Sequence, residues 1–236
     1  MMKTFLIYAY SAILVLGSLP QLRQAKKIPD QPFARKAKSI YRTPATVSRR
    51  VIEKTKSTVT VSGHEKIPDQ PVLFVANHQG IFDILVLLAY LDKPIAFIAK
   101  REIKRIPIIS KWMEQIKCVF IDRSNRRAAI KVIDDGVESI KAGQSMVIFP
   151  EGTRSKGTNV QPFKSGSLRL GTRAEVPIVP ITINGTYKML EEDGGRIKAA
   201  DIELIVGDPI YPEQYQGIKH NQLASDIQEI IINSID

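Results

Sequence analysis

Residues 71–91 read PVLFVANHQGIFDILVLLAYL, and this stretch decides the fold class of the chain. Its first part, 71–76, is a short apolar run rich in β-branched and aromatic residues, which is typical of a buried strand. Its second part, from about residue 80 to 91, is apolar over a length that favours a helix. The polar residues NHQG separate the two. The sequence therefore predicts a strand that runs through a short polar loop into a buried helix.

The same alternation of short apolar runs and helical stretches continues along the chain from about residue 58. It predicts an α/β fold with a mixed, largely parallel sheet flanked by helices, and antiparallel pairing where strands follow one another directly. The candidate strands are 58–62, 71–76, 95–99, 118–121, 146–149, 178–183 and 202–206, and the candidate helices are 80–91, 107–116, 124–141, 165–174 and 219–234.

Length and composition limit the classes of protein to which the chain can belong. A chain of 236 residues with 44% hydrophobic and 25% charged residues is an ordinary globular protein of one to two domains, which excludes a disordered or collagen-like chain. The lone cysteine, Cys118, excludes an internal disulfide and a zinc cluster of thiolates, and three histidines leave little for a metal site. We therefore expect no bound metal and a reducing compartment.

The net charge of +10 is concentrated near the N-terminus. Residues 21–56 contain eleven Lys and Arg against two acidic residues, whereas the rest of the chain is nearly neutral. Residues 4–22, which overlap the start of this basic block, carry no charge at all. An uncharged apolar stretch followed by a polybasic one indicates contact with anionic membrane lipids.

The apolar stretch predicts a helix over about 4–19. At ~1.5 Å per residue it is roughly 24 Å long, short of the ~30 Å hydrocarbon core, so it lies in one leaflet or barely spans. A signal peptide and a buried core helix are the alternatives, although no Ala-x-Ala-like cleavage site follows. The dense positive charge downstream opposes translocation, which places the protein at the cytoplasmic face of the cell membrane.

Residues 33–56 predict a second helix, with apolar residues mostly three and four apart and Lys or Arg between them. Such a helix fits the headgroup plane of a membrane. The alternative is a helix packed on the main domain with its basic face in solvent. We therefore divide the chain into an N-terminal, membrane-associated pair of helices with a basic face, 1–57, and an α/β domain, 58–236.

The polar loop of the opening stretch contains a candidate catalytic pair, His78 and Asp83. Five residues on a continuous helix would place the two side chains about 140° apart. If His78 instead lies in the loop and Gly80 allows a sharp entry, Asp83 in the first helical turn can reach the imidazole. The carboxylate would then fix the tautomer and leave the other ring nitrogen free to accept a proton. The alternative is a structural histidine and an acidic residue that complements the helix dipole.

A second candidate site follows the strand 146–149, in the sequence PEGTRSKG. Gly152 lets the backbone turn tightly, and Arg154 beside small hydroxyl donors suits a phosphate monoester. Further cations are Lys100 and Arg123, which follow other predicted strands, and Lys164, which stands at the probable N-terminus of the helix 165–174. Each could be an ordinary charge at the end of a strand. Because carboxyl ends of strands collect ligands in α/β sheets, several cations there indicate an anionic substrate.

These residues resemble conserved blocks of the glycerolipid acyltransferase family, over roughly 58–210. The resemblance is to its bacterial 1-acyl-sn-glycerol-3-phosphate acyltransferases, which make phosphatidic acid from lysophosphatidic acid. One His-x4-Asp spacing is a weak signal, but several blocks in order are a strong one. The matching blocks are NHQGIFD with His78 and Asp83, AKREIKRIP with Lys100, VFIDR with Arg123, FPEGTRS with Glu151, Gly152, Thr153 and Arg154, and VPIVPI at 176–181.

The resemblance implies that His78, oriented by Asp83, activates the sn-2 hydroxyl of the lipid acceptor for phospholipid biosynthesis. It implies that Lys100, Arg123 and Arg154 hold the acceptor phosphate, and that Glu151, Gly152 and Thr153 form the substrate-binding loop. The donor would be an acyl thioester of acyl carrier protein or coenzyme A, with no cofactor. The chain departs from the family at Lys117, where a glycine is expected before VFIDR.

Three alternatives stay open at this point. The same fold could acylate glycerol 3-phosphate or another lysophospholipid, or the protein could bind lipid headgroups without catalysis. The basic block could bind nucleic acid, but no nucleic-acid-binding motif accompanies it, so we expect no nucleic-acid partner. Two other features are expected to have structural and not catalytic roles. Cys118 is expected to be a buried core thiol, and the acidic cluster at 191–195 is expected to be a solvated loop.

Overall fold

The computed structural model describes residues 2–28, 33–121 and 126–235. Its helices are α1 Met2–Gly17, α2 Leu19–Lys27, α3 Phe33–Thr55, α4 Phe82–Tyr90, α5 Ile109–Gln115, α6 Arg126–Lys141, α7 Arg169–Ala174, α8 Pro212–Tyr215 and α9 His220–Ile232. Its strands are β1 Thr58–Ser62, β2 Leu73–Ala76, β3 Ile95–Lys100, β4 Val119–Ile121, β5 Ser145–Ile148, β6 Ile178–Asn184 and β7 Asp201–Val206. Short 3-10 helices cover His64–Lys66, Arg101–Arg105, Ser165–Leu168 and Thr186–Met189.

The seven strands form one sheet in the order β1-β7-β6-β2-β5-β3-β4. All neighbouring pairs are parallel except β6 and β7, which follow one another along the chain and pair antiparallel. This confirms the predicted mixed, largely parallel sheet. Because β6, β2, β5, β3 and β4 run in the same direction, their carboxyl ends meet at one edge. The described loops that leave this edge carry His78 and Arg154, and Lys100 lies at the end of β3.

The centre of the sheet forms the core. Every residue of β2 and β5 is buried, as expected for strands covered on both faces. Helix α6 packs beside β5, and α9 packs beside β6. The predicted strands and helices of the α/β domain are present, with ends that differ by a few residues. The 165–174 stretch divides into a 3-10 turn and α7.

The described part of the N-terminal region has three helices, where the sequence predicts two. The first predicted helix, about 4–19, corresponds to α1, which ends at Gly17, and an additional helix, α2, begins at Leu19 with Pro20 in its first turn. Proline fits that position because the first turn of a helix has no intrahelical partner for its N–H groups.

Helix α3 packs against α4 and also contacts α1 and α2, so that much of its apolar face is covered. Ile40, Tyr41 and Ile52 are buried. The Tyr41 hydroxyl donates to the carbonyl of Leu88, and the Arg49 guanidinium donates to the carbonyl of Ala89, so α3 satisfies orphan carbonyls at the end of α4. The structure therefore favours a helix packed on the main domain over a helix that inserts its apolar face among lipid headgroups.

Helix α1 is attached to the domain on one side and exposed on the other. The N–H of Ile197 donates to the Thr4 hydroxyl, the Trp112 indole donates to the Ser18 hydroxyl, and Ile7 is buried. Residues Met2–Lys27 are long and apolar enough to cross a membrane, with 17% of the most apolar window buried. A core helix is therefore excluded. The large side chains that α1 exposes are Met2, Phe5, Leu6, Tyr8, Ile13 and Leu16.

Lys117, the departure from the family pattern, lies between α5 and β4 with φ +63°. Glycine adopts this left-handed conformation readily, whereas a side chain makes it costly. The exposed lysine side chain disturbs no packing. Backbone conformation therefore explains why glycine suits this position.

Replacing Lys117 with glycine is expected to raise the free energy of unfolding by about 0.5–1 kcal/mol, since it removes the cost of the left-handed lysine. Urea unfolding measures the change. Lys131→Gly, at an exposed position inside α6, is the control, because its ordinary helical backbone predicts a loss of about 1 kcal/mol. Equal losses of unfolding free energy in both variants would contradict the claim that the backbone of Lys117 is strained.

Candidate active site

His78 and Asp83 lie together at the carboxyl edge of the sheet. His78 follows β2 in a loop, and Asp83 is in the first turn of α4. Nδ1 of His78 is 2.7 Å from Oδ2 of Asp83. The imidazole also stacks on Phe149, with ring centroids 4.1 Å apart. The structure thus forms the pair that the His-x4-Asp spacing predicts, in the loop-to-helix geometry that the spacing requires.

Gly80 is needed for a different reason from the one expected. Its φ is not among the left-handed values in the described chain, so the turn does not depend on a conformation reserved for glycine. A Cβ at this position would lie 2.5 Å from Oε2 of Glu191. The missing side chain therefore makes room for the Glu191 carboxylate.

The Asp83 carboxylate is fully buried and accepts three hydrogen bonds. Oδ2 accepts from the backbone N–H of Gly80 at 3.0 Å as well as from the imidazole, and Oδ1 accepts from the Thr186 hydroxyl. A buried carboxylate needs such donors to remain ionised. With Nδ1–H donated to Asp83, the His78 Nε2 is the nitrogen available to accept a proton, and the side chain is 18% exposed.

The loop after β5 is tied to the His78 segment by Glu151. The Oε1 atom of Glu151 accepts from the His78 backbone N–H at 2.6 Å, and Oε2 accepts from the Gln161 N–H at 2.9 Å. Burial raises the pKa of Glu151 above its ordinary value, while these two N–H donors partly oppose the shift. The buried Glu151 side chain therefore holds two loops together, and its place in a substrate-binding loop with Gly152 and Thr153 stays a prediction.

The rest of that loop turns outward. Gly152 has φ +72°, which confirms the expected tight turn, and a Cβ there would lie 2.6 Å from Nζ of Lys164. Thr153 and Arg154 are exposed beyond it. Nη1 of Arg154 is 2.9 Å from Oε1 of Glu191, and 41% of the Arg154 side chain remains accessible. Two cations, Arg154 and Lys164, thus lie on the loop next to His78.

Lys100 is exposed at the carboxyl end of β3, one strand beyond β5 from the His78 loop. At a spacing of about 4.8 Å per strand, β3 and β2 are roughly 10 Å apart. Arg123, the third predicted phosphate ligand, lies outside the described residues. Phosphate binding by Lys100, Arg123 and Arg154 stays a prediction.

The acidic cluster at 191–195 is not simply the solvated loop that the sequence indicates. The Glu191 side chain is only 5% exposed, and its Oε1 accepts from the N–H of Ile81 as well as from Arg154. Asp193 pairs with Lys198. The expectation of solvation fails at Glu191 because the loop folds back onto the start of α4. No group of metal-ligating side chains occurs in the described part of the chain.

Sequence reasoning missed Thr186, Glu191 and the stacking role of Phe149. Thr186 had a usable signal, because it follows β6 directly and so leaves the same edge of the sheet as His78. Glu191 had no such signal, since an acidic residue among Glu, Asp and Gly is usually solvated.

A buried carboxylate that orients a partly exposed imidazole can support general-base chemistry on a hydroxyl group. Cations on adjacent loops suit a substrate with an anionic group. Fold and site together define an α/β protein with a His–Asp pair and exposed cations at the carboxyl edge of its sheet.

Comparison with known proteins agrees with this class. A family model described as Acyltransferase matches residues 58–184. The probable 1-acyl-sn-glycerol-3-phosphate acyltransferase of Mycoplasma genitalium is 32% identical over 238 residues, covering 95% of this chain and 87% of that protein. The M. pneumoniae protein of the same description is 31% identical over 96% of this chain and 88% of its own length. The chain belongs to the acyltransferase family.

A solved structure is also similar over nearly the whole chain. The crystal structure of the 1-acyl-sn-glycerophosphate acyltransferase PlsC from Thermotoga maritima superposes with a TM-score of 0.87 at 26% identity. The match covers 99% of this chain and 93% of that one, so it includes the N-terminal helices as well as the sheet.

Proposed function

We propose that this protein transfers a fatty acyl group from an acyl thioester to the sn-2 hydroxyl of 1-acyl-sn-glycerol 3-phosphate, which gives phosphatidic acid. The observation that carries the proposal is the 2.7 Å contact between His78 Nδ1 and buried Asp83 Oδ2. Family membership and the names of the similar bacterial proteins support the choice of substrate.

The first step is removal of a proton from the acceptor hydroxyl by His78 Nε2. The hydroxyl oxygen attacks the thioester carbonyl, and the imidazolium that forms is stabilised by the Asp83 carboxylate. The tetrahedral intermediate collapses with cleavage of the C–S bond. The departing thiolate then takes the proton from His78, which restores the neutral imidazole.

Direct transfer needs no acyl-enzyme, because a thiolate is a good leaving group. Cys118 is unsuitable as an acyl carrier. It is buried at the start of β4, and burial raises its pKa to about 12, so the reactive thiolate is not populated near neutral pH.

Arg154 is proposed to hold the acceptor phosphate, with Lys100 and Arg123 as further ligands. The loop that carries Arg154 is attached to the His78 backbone: the N–H of Ser155 donates to the His78 carbonyl at 2.8 Å, and Glu151 accepts from the His78 N–H. This attachment links the position of Arg154, the proposed phosphate-binding residue, to that of His78, the proposed base. Positioning of this kind lowers the barrier by several kcal/mol.

The assay that tests the proposal offers lysophosphatidate, glycerol 3-phosphate and lysophosphatidylcholine to the purified protein, each with acyl-carrier-protein and coenzyme A thioesters. We expect transfer to lysophosphatidate and little transfer to the other two. Preferred acylation of another acceptor would keep the reaction class and overturn the substrate, whereas no transfer to any acceptor would favour a headgroup-binding protein.

Membrane attachment is proposed to use the exposed face of α1 together with basic residues of α2 and α3. Anionic lipids are then partners, and the basic flank favours the cytoplasmic face. A lipid acceptor would reach the site without leaving the bilayer surface. Because α1 is also hydrogen-bonded to the domain, we propose that it docks in one leaflet.

Exchange of Phe5 and Ile13 for glutamate is expected to reduce binding to vesicles of phosphatidylglycerol more than tenfold, because it puts charge on the exposed apolar face. Vesicle flotation measures the bound fraction. The double variant Ile218→Glu and Ile230→Glu adds the same number of charges at exposed sites outside the N-terminal helices; it is the control and should bind like wild type. Unchanged binding of the α1 variant would contradict docking through this face.

A further inference from the structure

The segment immediately after β6, residues 185–191, folds back onto the start of α4 at several points. It lies beyond residues 58–184, which match the family model. The Gly185 N–H donates to Oε1 of Gln79 at 2.9 Å, Thr186 donates to Asp83, and Glu191 accepts from the Ile81 N–H. The segment thus contacts the residues on both sides of Gly80.

Thr186 fixes the orientation of the Asp83 carboxylate. Its side chain is fully buried, and Oδ1 of Asp83 is much nearer to its hydroxyl than the other acceptor in reach, Oε1 of Gln79 at 3.4 Å. A hydroxyl has one proton, so the donation goes to Asp83. With Oδ1 held by Thr186 and Oδ2 by the Gly80 N–H, the carboxylate presents Oδ2 to the imidazole.

These donors matter because the charge of Asp83 has little other support. Within residues 2–28, 33–121 and 126–235, no Lys or Arg forms an ion pair with Asp83. A buried carboxylate without a cation depends on hydrogen bonds to stay charged.

Glu191 restrains Arg154 through an ion pair, just as Thr186 restrains Asp83 through a hydrogen bond. Its Oε1 accepts from both Ile81 N–H and Arg154 Nη1, whereas its Oε2 is buried and has no hydrogen-bond partner among the described residues. A buried carboxylate with one unsatisfied oxygen is costly, so its position needs an explanation. The ion pair with Arg154 supplies one, because it restrains a long side chain whose outer surface stays accessible to a ligand.

We propose that residues 185–191 form a positioning loop for the active site. Thr186 positions the base, His78, through Asp83, and Glu191 positions the anion-binding Arg154. Because both residues are on one short segment, that segment sets the distance between the proton acceptor and the phosphate ligand. This inference rests on the proposed acyl transfer to a phosphate-bearing acceptor.

Replacing Thr186 with valine is expected to lower kcat about tenfold and to leave KM for lysophosphatidate unchanged, because it removes one hydrogen bond to a charged group. Thr186→Ser should restore most of the activity, and Thr186→Cys, a weak donor, should fall between them. Thr182→Val is the matched control, since Thr182 is also a buried threonine but lies on β6, where its hydroxyl donates to the Ile231 carbonyl and not to Asp83. It should keep wild-type kcat.

Replacing Glu191 with glutamine is expected to raise KM for lysophosphatidate about fivefold to tenfold with little change in kcat, because it removes the charge that restrains Arg154. The matched control is Glu192→Gln, the same change at the exposed neighbouring position. It should keep the wild-type KM. An unchanged or lower KM in the Glu191 variant would overturn its role.

A further measurement separates this inference from the proposed function. The Nδ1–H proton of His78 gives a downfield NMR signal when it is donated to a carboxylate, and no substrate is needed to record it. Thr186→Val should shift this signal and Thr182→Val should not. If wild-type protein acylates none of the acceptors, the proposed function fails but this comparison still tests Thr186. If valine prevents folding, the serine and cysteine variants provide the test, and equal kcat and signals in both would overturn the proposal.

Discussion

Replacement of His78 by alanine is expected to lower kcat by about a thousandfold or more, with the fold and membrane binding retained. The Asp83 contact at Nδ1 orients the imidazole and leaves Nε2 free to accept the proton of the acceptor hydroxyl. General-base catalysis typically contributes on the order of 10²–10⁴-fold to the rate. The fold should survive because Asp83 keeps its hydrogen bonds from Gly80 and Thr186. Acyl transfer to lysophosphatidate measures the effect, and circular dichroism measures the fold.

His64→Ala is the control for that experiment. His64 is exposed in the 3-10 turn after β1, and its replacement should leave kcat unchanged. If the His78 variant kept wild-type activity, the histidine would be structural, and a protein that binds lipid headgroups without catalysis would become the better interpretation.

Replacement of Asp83 by asparagine is expected to lower kcat on the order of 10²–10³-fold. Because the Gly80 N–H donates to the Oδ2 position, the amide carbonyl should occupy that position and still accept from Nδ1–H of His78. The tautomer is then preserved, and what is lost is the negative charge that stabilises the imidazolium. At an effective dielectric constant of about 20, a charge about 4 Å away is worth about 4 kcal/mol, which is consistent with this range.

Steady-state kinetics with lysophosphatidate should show the Asp83→Asn effect in kcat and leave KM nearly unchanged. Asp134→Asn is the control, because Asp134 forms an exposed ion pair with Arg173 away from the sheet edge. A loss of less than threefold in the Asp83 variant would show that its charge does not assist the base.

The basic N-terminal block shows which features the sequence predicts and which features only the tertiary structure decides. Charge and hydropathy predict two helices there, and α1 and α3 confirm both. They do not predict what covers the apolar face of α3, because an amphipathic pattern is the same whether lipid or protein covers it. The hydrogen bonds of Tyr41 and Arg49 to α4 settle that point.

The sequence by itself determined the succession of strands and helices and identified His78 and Asp83 as a candidate pair, with a structural histidine as the open alternative. Both are local: buried runs follow one another along the chain, and five residues across a loop-to-helix turn bring the two side chains together. Tertiary structure alone decided that Thr186 supports Asp83, 103 residues away, and that Glu191 contacts Ile81, 110 residues away. The physical reason is that these contacts require β6 to lie beside β2, and hydrophobic periodicity carries no information about which strands are neighbours.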